Sequence, residues 1–173
     1  MEKDQKKLSV KIRLLALAVA ALLVGIDQLL KHWVYVSLRP GSVSVIPGLL
    51  NLTYVENRGA AFGIFQGHTM VLSIVVLIFL VLILAYLLSG RVQEKGLLWI
   101  LSIILAGGAG NLVDRLTRGF VIDYLDITPL FSFPVFNFAD CCVVCGAIAL
   151  VIYMVVTDVK RIRTKKASES ESE

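Results

Sequence analysis

The chain has 173 residues, 57% of them hydrophobic, and a mean hydropathy of +0.82, which is outside what a soluble domain of this size keeps in water. Seventeen Lys and Arg against thirteen Asp and Glu leave a net charge of +4. The basic residues flank apolar runs and form no aromatic-interleaved face, so nucleic acid is not an expected partner.

Four apolar runs, roughly 14–36, 70–88, 96–113 and 139–157, each approach the ~20 residues that cross a hydrocarbon core of ~30 Å. The expected fold class is therefore an all-α membrane protein, a four-transmembrane-helix bundle carrying a small extracytoplasmic β-sheet. Residues 1–13 form a basic N-terminus. The first apolar run is too long for a signal peptide and lacks a small-residue cleavage site, so it reads as a retained span. Residues 14–157 form one membrane domain, and 158–173, basic and then rich in Ser and Glu, read as a disordered cytoplasmic tail.

Four spans place both termini on one side. Twelve Lys and Arg precede span one, lie between spans two and three, or come after span four, whereas the opposite loops hold only Arg39, Arg58, Arg115 and Arg118. The positive-inside rule then puts both termini in the cytoplasm and the long loops outside.

The first outer loop alternates polar and apolar residues over Ser42–Ile46 and Leu50–Val55 around Pro47-Gly48, a pattern expected of two paired strands. In the second, Phe120–Ile127 is β-rich, and Pro129 and Pro134 oppose helix over the next residues. Asn137 is a good N-cap for the fourth helix and puts Asp140 in its first turn, where the helix dipole favours negative charge. The glycine-rich AGGAG at 106–110 suits close helix packing. Cys141, Cys142 and Cys145 have CxxC spacing but no nearby His, so small buried hydrophobes outweigh a metal site.

Ionisable residues at membrane depth are costly and call for explanation. Asp27 and Lys31, four apart on the first helix, read as a mutual ion pair ahead of direct catalysis. Asp114 and Arg115 close the third span, and Asn111 lies one turn back on the face of Arg115; structural glue and substrate positioning both stay open. Asp123 and Asp140 can return to the same interface. Two close carboxylates cannot both ionise cheaply, so one keeps a proton while the other acts as base on a shared water. Spacing alone does not decide between this dyad and a plain surface Asp123 with a helix-capping Asp140, and Asp126 competes with Asp123. His32 and His68 adjoin different spans without a nucleophile motif.

Five segments, DQLLK (27–31), VENRGAAFGIF (55–65), GNLVDR (110–115), GFVIDYLD (119–126) and FPVFNFAD (133–140), together resemble lipoprotein signal peptidase, also called signal peptidase II. The resemblance implies that Asp123 and Asp140 are the catalytic pair, which excludes Asp126. It places Asn57, Asn111, Arg115 and Asn137 among the polar residues lining the active site and matches Asp27 and Lys31 to a motif taken as structural; Asp114 is read as structural as well. Tyr124 stands where Phe is frequent in the family. The implied activity is aspartic endopeptidase cleavage of diacylglyceryl-modified prolipoproteins before the lipidated cysteine, with no cofactor or metal. Lipidated precursors and membrane lipids are the expected partners, and a monomer is expected. The rivals are a small transporter or proton channel using the same carboxylates, and a noncatalytic assembly factor binding helices through AGGAG.

Overall fold

A computed structural model describes residues 8–59 and 69–170. Lys3, Lys6, Lys7, His68, residues 60–65 of the second family-like segment and the last three residues lie outside them. In chain order the elements are α1 (Val10–Ser37), β1 (Ser42–Ile46), β2 (Leu50–Asn57), α2 (Thr69–Leu88), α3 (Lys95–Arg118), β3 (Val121–Asp126) and α4 (Phe138–Ser170).

Among the described residues, α2, α3 and the 138–165 part of α4 are long and apolar enough to cross a membrane. The described residues are thus mostly helical, with three candidate spans and one three-stranded sheet. α1 begins at Ser9, whose Oγ accepts from the Ile12 amide at 3.4 Å, a cap that satisfies one of the free N–H groups of the first turn.

α3 is the central helix and packs against α1, α2 and α4. Its glycines explain how closely. A Cβ at Gly107 would lie 2.4 Å from the Ala139 carbonyl oxygen, and one at Gly110 would lie 2.6 Å from Asp27 Oδ2. Glycine therefore lets α4 and α1 approach the α3 backbone directly. One buried apolar cluster joins Ala16, Ile83, Leu87, Val92, Leu98 and Leu101; a second, of Val34, Ile122 and Tyr124, seats α1 against the sheet.

The sheet order is β1-β2-β3, both pairs antiparallel. Pro47 and Gly48 make the β1–β2 turn, in which the Leu49 amide donates to the Ile46 carbonyl at 3.0 Å and Gly48 has φ +73. Proline before a residue of positive φ is the type II pattern, and glycine takes that φ without steric penalty. After β3 the chain doubles back: Phe136 exchanges backbone hydrogen bonds with Leu125, at 3.1 Å and 2.7 Å. That return delivers the start of α4 to the flank of β3.

Two helices outrun their expected ends. α3 continues five residues past 113 to Arg118, because nothing in NLVDRLTR breaks a helix, and it stops where Gly119 takes φ +80 and caps onto the Arg115 carbonyl. α4 continues past 157 to Ser170, helical where a disordered tail was expected; Lys and Arg are good helix formers, and the stretch holds no Gly or Pro to stop it. Cys142 is buried against Gly107, but Cys145 is exposed on the outward face, contrary to the expectation of a buried residue.

Candidate active site

The candidate site lies at the end of the bundle that carries the sheet, where α3 finishes and α4 begins. Asn137 and Asp140 make a reciprocal cap. The Asp140 amide donates to Asn137 Oδ1 at 2.9 Å, and the Asn137 amide donates to Asp140 Oδ2 at 3.1 Å. This is a capping box with an aspartate at its third position, so the geometry that starts the helix also orients the carboxylate.

Asp123 arrives from β3, 2% exposed. Its Oδ2 accepts from Asn57 Nδ2 at 2.8 Å and its Oδ1 from Asn137 Nδ2 at 2.6 Å. Asp140 Oδ1 accepts from Asn111 Nδ2 at 2.7 Å. Asn137 Nδ2 also donates to Asn111 Oδ1 at 3.1 Å. The two aspartates are thereby joined through two asparagine amides. Burial, and next the Asp140 carboxylate, push the Asp123 carboxyl up to about 7 against the opposing pull of Asn57 and Asn137.

Arg115 donates to the Gly59 carbonyl at 3.0 Å and stands within electrostatic reach of both carboxylates. Its buried Nε has no hydrogen-bond partner among the described residues. Asn57 is steadied by the Gly59 amide, which donates to its Oδ1 at 3.0 Å.

Asp126 is separated from this group. Strand periodicity turns residues three apart to opposite faces. Its Oδ1 accepts from the amide and hydroxyl of Thr128, and its Oδ2 from Thr53 Oγ1; these bonds, led by the Thr128 hydroxyl, hold its carboxyl below the usual range.

Behind the aspartates is a buried ionic cluster. Lys31 Nζ is 2.9 Å from Asp27 Oδ2 and 3.2 Å from Asp114 Oδ2, all three side chains at most 2% exposed. The ion pair read from the α1 spacing is present, but it is shared with Asp114. Two residues that sequence reasoning passed over complete the cluster. Gln28 Nε2 donates to the Gly110 carbonyl, Asp27 and Asp114, and Arg118 pairs with Asp114. The i,i+4 spacing of Asp114 and Arg118 was a usable signal for the second; Gln28 had none. Asp27 Oδ1 accepts the Ala139 amide at 3.0 Å and Asp114 Oδ2 the Ile122 amide at 3.1 Å, so the cluster ties α1 and α3 to the chain on either side of the site. His32 is exposed on α1. No group of His, Cys, Asp and Glu among the described residues is arranged to hold a metal ion.

The family model described as signal peptidase (SPase) II matches residues 19–156. The chain belongs to the signal peptidase II family. It is similar to the lipoprotein signal peptidases of Clostridium acetobutylicum, 40% identical over 146 residues, and Clostridioides difficile, 42% over 148 residues. These alignments cover 83% and 85% of this chain, and 95% and 99% of the relatives. Two solved bacterial membrane enzyme structures, obtained by the in meso method, superpose with TM-scores of 0.76 and 0.74 at 29% and 30% identity. Each covers 87% of this chain, and the matches span 91% and 96% of the structures. As a signal peptidase II the chain is a membrane protease of the aspartic type.

Proposed function

We propose that the chain cleaves diacylglyceryl-modified lipoprotein precursors on the N-terminal side of the lipidated cysteine, with Asp123 and Asp140 as the catalytic pair. The observation that carries this reading is the shared network of Asn57, Asn111 and Asn137, which supports both carboxylates at the mouth of an apolar bundle. Asp123, raised to about 7, holds the proton. Asp140 takes a proton from water as the water oxygen bonds to the scissile carbonyl carbon, and Asp123 protonates the carbonyl oxygen. On collapse Asp140 passes its proton to the departing amine, Asp123 recovers one from the diol, and the pair is restored.

α1 is read as a fourth span, giving one membrane domain over 14–157. Its 28 residues reach about 42 Å at 1.5 Å per residue. Its Asp27 and Lys31 point inward and are paired, while Leu14, Leu15, Leu22, Leu29, Trp33 and Val36 are exposed to where lipid would lie. The Lys and Arg distribution favours cytoplasmic termini and an outward-facing site. The leucines exposed on α1 suit contact with membrane lipids, and the assembly proposed is a monomer.

The test is cleavage of a lipidated precursor by purified protein. Asp123→Asn and Asp140→Asn should each lower kcat by about 10³-fold or more, and the double variant should lose little further, because residues acting as one unit are not additive. Substantial cleavage by either single variant would overturn the dyad.

A further inference from the structure

Lys31, fully buried and 80 residues from Asn111 in sequence, donates a hydrogen bond to the asparagine network. Its ammonium has three N–H groups and three acceptors in reach: Asp27 Oδ2 at 2.9 Å, Asp114 Oδ2 at 3.2 Å and Asn111 Oδ1 at 2.8 Å. A lysine ammonium only donates, so the Asn111 atom it meets must be the oxygen. The other end of the same amide is then its NH2, and that end meets Asp140 Oδ1 at 2.7 Å.

We propose that Lys31 is a positioning residue for hydrolysis: by holding Asn111 Oδ1 it keeps Asn111 Nδ2 turned toward Asp140. A flipped amide would set its oxygen against the Asp140 oxygen and its NH2 against an ammonium, two repulsive contacts in place of two hydrogen bonds. Asn137 Nδ2 opposes the flip as well, but it is neutral, longer at 3.1 Å and shared with Asp123. The charge-assisted bond from Lys31 is the stronger restraint. The ion pair with Asp27 and Asp114 serves this contact by fixing the ammonium, and Asp27 in turn holds the Ala139 amide beside Asp140. Lys31 acts through Asn111, and the inference rests on the reading of Asp140 as catalytic.

Removing Lys31 alone leaves the buried Asp27 carboxylate without a cation, while Asp114 keeps Arg118, so the test uses charge-balanced pairs. Asp27→Asn keeps an oxygen for the Ala139 amide and offsets the lost ammonium. On that background Lys31→Gln retains an N–H donor for Asn111 and Lys31→Met removes it. Both proteins are purified, their thermal unfolding is recorded, and kcat and KM are measured on a lipidated precursor peptide. The Gln protein sets the reference kcat, because in Asp27→Asn alone the new NH2 would face the Lys31 ammonium. The Met protein should unfold at the same temperature as the Gln protein, keep its KM and lose about 100-fold in kcat, the scale of a misplaced reacting group. Equal kcat in the two proteins, a loss confined to KM, or failure of the Met protein or both proteins to fold would assign Lys31 to structure and overturn the proposal. Asp123→Asn is assayed alongside: cleavage persisting there removes the dyad itself, a result separate from equal Met and Gln values.

Discussion

Asp123 is a carboxyl that is buried, accepts an amide N–H at each oxygen and faces a second carboxylate, and burial with that neighbour lifts it to about 7. The retained proton sets the sign of the pH dependence. On the proposed mechanism Asp123 carries, below about 7, the proton that the carbonyl oxygen requires, and above it that acid is lost. Values of kcat/KM should therefore fall as pH rises past about 7, and the step belongs to the coupled pair. A profile flat from about pH 6 to 9 would contradict the assignment. Asp126 supplies the contrast, since the Thr128 and Thr53 bonds keep its carboxyl low and away from the network. Asp126→Asn should retain most activity, and a loss matching that of Asp123→Asn would reopen the choice between them.

At the scale of elements, the contact of α3 with α4 sets where Asp140 stands. The backbone carbonyl of Ala139, one residue before it, lies where a Cβ on Gly107 would fall, and a backbone atom cannot give way as a side-chain tip can. Gly107→Ala should push the helices apart, destabilise by about 1–3 kcal/mol and reduce cleavage, read by thermal unfolding and precursor assay. Gly25 on α1 is the control, because a Cβ there meets nothing within 4 Å. Gly25→Ala should be neutral or stabilising by up to about 1 kcal/mol from helix propensity. Similar losses in both variants would mean that α3–α4 proximity is not what Gly107 protects.

For the whole molecule, the buried Asp27, Lys31 and Asp114, with the half-buried Gln28 and Arg118 beside them, let α1 carry charge inward while presenting leucines outward. If α1 crosses, the chain has four spans and cytoplasmic termini. Reporter tags at either terminus should then be cytoplasmic, and one inserted beside Pro47 should be external. Termini detected on opposite faces would sink that topology.

Hydrophobic run length alone was enough to place α2 closely, since a helix in lipid must satisfy its own backbone and cannot end inside the apolar run, and Ser89-Gly90 follow that run directly. Local chemistry also sufficed for the Pro47-Gly48 turn and the Asn137 cap, because each depends on residues a few positions apart. Where α3 and α4 would stop was less legible: Asp114, Arg115 and the basic stretch after 157 change polarity without breaking a helix. The choice of Asp123 over Asp126 came at the sequence level only through family resemblance, because nothing local distinguishes two aspartates on one short strand. Tertiary structure separates them by strand facing and by the Phe136–Leu125 return that sets Asn137 against Asp123. It also decided what Lys31 touches. Spacing could pair Lys31 with Asp27 four residues away, but Asp114 and Asn111 reach it only because α1 closes on α3 at Gly110, and no local pattern records an approach between residues so far apart in sequence.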